Sequence, residues 1–208
     1  MEVNNIMLKH KFKTLCRNFS KEEKLINTLW QEIASEHSHP TRHYHTLKHL
    51  EDIYREIEDL ELTPLLGFAM FYHDIVYNVK KNDNEEQSAL LARERLAKLN
   101  VPKELNEKVF KLIMETKTHE TSNSENKLFL DADLAVLGSA TNLYDIYAQN
   151  VREEYAFYSD EIYKTGRKKV LKMFLKKEKI YISQYLYEQY EDKARKNLEQ
   201  ELKKLCSL

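Results

Sequence analysis

The chain has 208 residues, enough for one sizeable hydrophobic core, yet only three glycines and three prolines. So few turn-forming residues in a chain rich in Leu, Lys, Glu and Tyr argue against a sheet-rich fold and predict an all-α one. Charged residues make up 32% of the chain but the net charge is −1, which gives no electrostatic reason to expect a nucleic-acid or membrane partner.

The first 19 residues are polar and carry no apolar signal region, and no apolar stretch approaches the ~18 residues of a membrane span. Cys16 and Cys206 lie near opposite ends without CxxC spacing, so a reducing compartment fits better than a disulfide framework. Together these features predict a soluble, cytoplasmic protein. Ser20-Lys21-Glu22-Glu23 reads as a capping box. It opens a helix with Leu25, Ile26, Leu29, Trp30 and Ile33 on one stripe. Glu36-His37-Ser38-His39-Pro40 is a polar break closed by proline. A second helix starts near Thr46, with Leu47, Leu50, Ile53, Tyr54 and Ile57 at helical spacing. Thr63-Pro64 is a start signal for a helix predicted over 65–77, apolar almost all round and therefore buried. His73 and Asp74 are its only strongly polar side chains.

Residues 80–84 form a polar loop, and Asn84-Glu85-Glu86-Gln87 starts the next helix, through Leu90, Leu91 and Leu96. Val101-Pro102 begins another, with Leu105, Val109, Leu112 and Ile113 facing inward, ending near His119. A second polar loop covers 121–126. The stretch 128–137 is mostly apolar, interrupted by Asp131 and Asp133, with Gly138 as its C-terminal stop. An aromatic-rich helix is expected over about 142–165, stopped at Gly166, followed by a strongly charged helical tract to 205. Tyr181, Tyr185, Leu186, Tyr190, Ala194, Leu198, Leu202 and Leu205 mark an apolar stripe on that tract, expected to pack on the core. A protruding, dimerising helix, and so a homodimer, is the alternative. With no repeat and no linker rich in Gly, Ser or Pro, the chain reads as one domain over 1–208, with C-terminal helices over about 142–206.

Four of the eight histidines fall in Arg42-His43-Tyr44-His45-Thr46-Leu47-Lys48-His49 and Phe71-Tyr72-His73-Asp74. His45 and His49, four apart, project from one face at the start of their helix. His73 and Asp74 are about 100° apart on a helix, so both reach one ion only from a groove between helices. Asp133 stands almost alone among apolar residues of a third helix. Imidazole and carboxylate suit a divalent metal, and a buried aspartate is costly unless something cationic meets it. One ion would account for all of these groups together. Read singly, each has another explanation: His pairs spaced by four are common on surfaces, a buried aspartate caps a helix or pairs with Lys or Arg, and a buried histidine is a satisfied core residue.

The order His, His-Asp, Asp on successive helices resembles the HD superfamily of metal-dependent phosphohydrolases. Tyr44-His45-Thr46-Leu47-Lys48-His49 resembles the YHxxxH motif of cyclic-nucleotide phosphodiesterases, distant members of that superfamily. Phe71-Tyr72-His73-Asp74 resembles its HD doublet, and Asp131-Ala132-Asp133-Leu134 its terminal aspartate. The resemblance covers roughly 43–138 and is closest to small bacterial HD proteins regarded as metal-dependent phosphohydrolases.

The resemblance implies an HD-domain helical bundle whose metal-site core lies at about 43–138. It assigns His49, His73, Asp74 and Asp133 as ligands of one or two divalent ions (Mn, Mg, Co, Ni, Zn or Fe). His45 takes the role of a non-ligating proton donor to the leaving oxygen, and Asp74 bridges two ions or orients the attacking water. The implied substrate is a phosphate ester of a nucleotide or small metabolite. Asp131 and Asp133 point about 200° apart on a helix, so only one faces the site, and the resemblance favours Asp133. His119 falls where relatives carry a further metal or phosphate contact; a surface histidine at a helix end is the alternative. Glu86, Arg42 and Lys48 are further candidate contacts to a second metal or a phosphate. His37, His39 and His43 read as loop residues. Two alternatives share the metal: a di-iron oxygenase of the same fold, and a non-catalytic nucleotide-sensing module. The lack of a glycine-rich phosphate loop removes support for ATP-driven or dinucleotide chemistry.

Overall fold

The computed structural model describes residues 2–58 and 62–207, the side chains of residues 2–5 apart. Among the described residues there are ten α-helices, one short 3-10 turn and no strand. The all-α class follows from the composition as expected. No helix among the described residues is long and apolar enough to cross a membrane. The chain forms two compact units, Met1–Ser122 and Asn123–Leu208. The boundary falls inside the polar loop predicted over 121–126.

The first unit holds α1 (Glu2–Arg17), α2 (Glu23–Glu36), α3 (Leu47–Ile57), α4 (Pro64–Tyr72), α5 (Asn84–Lys98) and α6 (Lys103–Glu115). Its centre is α4, whose residues from Leu65 to Tyr72 are all buried, with α1, α3, α5 and α6 packed around it. A helix apolar on every side has no solvent face to keep, so the rest of the unit closes over it. Gly67 permits the close approach of α1: a Cβ there would stand 2.9 Å from Leu15 Cδ2. Helix α1 lies in the stretch read only as polar. Its signal is the i, i+4, i+8 stripe Leu8, Phe12 and Cys16, each fully buried. Phe12 meets Phe71 of α4 edge-on at 5.1 Å. Burial of this kind contributes about 1.5–3 kcal/mol per large apolar side chain.

Two of the predicted helix starts hold, each with a threonine cap. Thr46 Oγ1 accepts from Lys48 N at 3.3 Å to start α3, and Thr63 Oγ1 accepts from Leu66 N at 3.4 Å to start α4. The capping box at Ser20 does not. Ser20 N still donates to Cys16 O at 2.9 Å, closing α1, and its hydroxyl accepts from Glu22 N, so α2 begins at Glu23 without a side-chain cap. Helix α4 also ends five residues earlier than predicted, at Tyr72 with His73 as its C-cap.

The second unit holds α7 (Ser124–Asp133), the 3-10 turn (Ala135–Gly138), α8 (Thr141–Glu154), α9 (Asp160–Lys176) and α10 (Gln184–Ser207). The single helix expected over 142–165 is two. Ser159 Oγ accepts from Ile162 N and restarts the chain as α9, whose first turn carries Asp160 and Glu161, a start signal. Gly166 lies inside α9 and stops nothing; a Cβ there would meet no atom within 4 Å. Gly138 is not a left-handed stop either, since no glycine has positive φ. It is needed for close approach: a Cβ would stand 2.5 Å from Tyr190 Cβ and 2.8 Å from the Tyr190 carbonyl oxygen. Most of the stripe on the C-terminal tract packs inward: Tyr181, Leu186, Ala194 and Leu198 are buried and Tyr190, Leu202 and Leu205 half-buried, but Tyr185 is 57% exposed.

Candidate metal centre

Three donors meet in the first unit because two helices end beside one another. The Thr46 cap starts α3 at Leu47, so His49 lies in its first turn, buried. His45 therefore precedes the cap instead of sharing a helical face with His49, and the two rings stand 5.7 Å apart. His73 closes α4 through His73 N to Ala69 O at 2.8 Å. Asp74 follows in the turn beyond, so the pair is not constrained to the 100° spacing of a helix.

The Nε2 atoms of His49 and His73 face each other at 3.3 Å. Asp74 Oδ2 lies 3.0 Å from His73 Nε2 and 3.8 Å from His49 Nε2. His73 Nδ1 is 3.0 Å from the Met70 carbonyl oxygen. That carbonyl can only accept, so the ring proton sits on Nδ1 and the Nε2 lone pair points at the other two groups. His73 Nε2 and the Asp74 carboxylate then face each other as two electron-rich groups beside His49 Nε2, at a site where both rings are almost fully buried. Only a cation or an added proton relieves such an arrangement. The spacing fits a metal ion: two ligand atoms each about 2.1 Å from one centre, at 90–110°, stand roughly 3.0–3.4 Å apart. Two of the three separations fall in that range, and the third corresponds to an angle of about 130°. These three residues form the one group among the described residues with donor atoms close enough, within 4.8 Å of one another.

His45 stands just outside the group. Its Nε2 is 3.9 Å from Asp74 Oδ2. The ring stacks on Tyr77 at 4.2 Å and meets Tyr44 edge-on at 4.9 Å. Tyr77 was not among the candidates the sequence suggested; an aromatic residue three positions beyond the His-Asp doublet is its signal. Ser88 of α5 anchors the same turn: its hydroxyl accepts from Val76 N at 3.1 Å and donates to Val76 O at 3.2 Å.

His37 is not a solvated loop residue. It continues the Leu29, Ile33 stripe by four, is 1% exposed, and its Nδ1 donates to Ile33 O at 3.0 Å. Burial, and secondarily the charge of Arg42, push its pKa down to about 3, so the ring stays neutral. Its Nε2 is buried without a hydrogen-bond partner. His39 is exposed and pairs with Thr41 Oγ1, and His43 is exposed, as a loop reading requires.

Of the further candidates, Arg42 is buried beneath the site, with its guanidinium donating to main-chain carbonyls. Lys48 is exposed and paired with Asp52 on its own helix. Glu86 is exposed in the first turn of α5. His119 follows α6 in a left-handed conformation, φ 51°, and is not in the three-residue group. In the second unit, Asp131 is buried and its two carboxylate oxygens accept from Ile182 N at 2.9 Å and Ser183 N at 2.6 Å, ahead of α10. That task explains a buried aspartate structurally. Asp133 is the last residue of α7, half-buried, and its assignment as a ligand rests on the sequence. Comparison of the chain with protein-family models, curated proteins and solved structures finds no match.

Proposed function

We propose that the chain is a metal-dependent phosphohydrolase of HD type, acting on a phosphate ester of a nucleotide or small metabolite. The observation that carries the reading is the convergence of His49 Nε2, His73 Nε2 and Asp74 Oδ2 at 3.0–3.8 Å, with a further imidazole, His45, 3.9 Å from the carboxylate. His49, His73 and Asp74 would hold a divalent ion. Such an ion supplies Lewis-acid polarisation of the phosphoryl oxygens and acidifies water.

The protein's own groups divide the remaining work. Asp74 is an acceptor partly open to solvent, its side chain 18% exposed, and a carboxylate in that setting can orient a water molecule. His45 is held in one plane by Tyr77 and Tyr44 and is less buried than His49. An imidazole's ordinary pKa near neutrality lets it carry a proton and release it to a leaving alkoxide. The buried His73 ring is fixed by the Met70 carbonyl, which keeps its Nε2 a donor of electrons and not of a proton.

The test is turnover. Purified protein, stripped and then supplied in turn with Mn²⁺, Mg²⁺, Co²⁺, Ni²⁺, Zn²⁺ or Fe²⁺, is assayed against a broad panel of phosphate esters. Turnover with at least one ion is expected, and His45→Ala should lose roughly 10²–10⁴-fold of it while keeping the metal. Absence of turnover across the panel, with metal bound, would favour the non-catalytic sensing module.

A further inference from the structure

We propose that Arg42 is a positioning residue, a clamp that sets the separation of His45 from Asp74, and not a contact to the substrate's phosphate. This refines the site read above. One nitrogen, Nη1, donates to the carbonyl oxygens of both residues: to Asp74 O at 2.6 Å and to His45 O at 3.2 Å. Nη2 donates to Ile75 O at 2.8 Å. The two residues bridged by Nη1 are those whose side chains stand 3.9 Å apart. They are 29 positions apart in the chain and belong to different segments, the loop before α3 and the turn after α4.

The chemistry suits an arginine. A guanidinium offers five donors in a rigid planar fork, accepts nothing and stays charged. Both hydrogens of Nη1 and one of Nη2 are committed to carbonyls. The residue is 7% exposed, so a phosphate would have to displace those carbonyls in a buried setting. The turn after α4 is also the negative end of that helix, where a cation is favoured. A second route runs through the rings: the guanidinium lies over Tyr77 at 5.5 Å, and Tyr77 stacks on His45 at 4.2 Å. Arg42 thus reaches His45 directly at its main chain, and its imidazole only through Tyr77.

The full-length protein and its Arg42→Met and Arg42→Lys variants decide the matter in two measurements. The first is hydrogen–deuterium exchange without metal. Residues 43–49 and 73–77 should exchange faster together in Arg42→Met, while α6 keeps its protection. No change in either segment, or a change in one alone, overturns the clamp. The second is Mn²⁺ titration without phosphate, followed by inorganic phosphate binding to the Mn²⁺-saturated protein. Mn²⁺ affinity should fall roughly 10–100-fold, the usual effect of losing an outer partner of a ligand, with phosphate affinity changed less than about threefold. Unchanged Mn²⁺ affinity with phosphate binding lost would make Arg42 a phosphate contact. Arg42→Lys keeps the charge without the fork and should remain weakened; full recovery in it would mean charge suffices and would overturn the proposal. Should Arg42→Met fail to fold, Arg42→Lys carries both measurements. Wild-type protein that takes up no Mn²⁺ tells against the metal reading, and the exchange experiment still decides the clamp.

Discussion

His37 should make the first unit acid-sensitive, and removing it should remove that sensitivity. Its ring is buried and neutral, with a pKa of about 3 against an ordinary value of 6.5. The unfolded chain takes up the proton as pH falls through 6.5, whereas the folded chain resists until about 3. Stability attached to this residue is therefore full above 6.5 and is lost progressively between 6.5 and about 3. From pH 7 to pH 5 the loss amounts to about 2 kcal/mol, since the unfolded histidine is then almost wholly protonated and the folded one is not. His37→Leu lacks the titrating group, so wild type should lose about 2 kcal/mol more than the variant over that interval. Urea unfolding at pH 7, 6 and 5, with EDTA to remove metal-linked protons, measures it. Trp30, the chain's single tryptophan, is buried on α2 two turns before His37 and reports on this part of the structure by fluorescence. Parallel pH profiles for the two proteins would refute the reasoning, because they would mean that folding does not hold this imidazole neutral.

Asp74→Ala should abolish stoichiometric metal binding, measured by titration with Mn²⁺ or Co²⁺; retained stoichiometric metal would remove Asp74 from the ligand set. Wild-type metal affinity should fall between pH 8 and pH 5, because the histidines must be neutral to ligate, and a constant affinity would point to a site without them. The two helical glycines of the second unit should respond in opposite senses. Gly138→Ala drives a Cβ into Tyr190 and should cost about 1–3 kcal/mol. Gly166→Ala fills open space inside α9 and should stabilise by up to about 1 kcal/mol. Urea midpoints of the two variants check both signs.

Much of the site is legible in the chain because its signals are local. The Thr46 and Thr63 caps need only their own turn, and the spacing from Thr46 to His49 places that imidazole in the first turn of α3. The His-Asp doublet inside an apolar run marks a buried donor pair by its neighbours alone. Signals that depend on the partner surface are not legible in this way. Leu8, Phe12 and Cys16 look unremarkable among polar neighbours until α4 lies across them. Gly138 reads as a helix stop until Tyr190 is seen against it.

Local chemistry in the chain thus determined the helical class, the caps that start α3 and α4, and the residue types able to hold a divalent ion. Tertiary structure decided which of those residues meet. It brought His49, His73 and Asp74 to one point, buried His37, and turned the guanidinium of Arg42 toward carbonyls 32 and 33 residues away. The physical reason is that helix caps and apolar stripes are set within a few turns of chain. Convergence depends on where separate helices end against one another, and no short window of sequence contains that information.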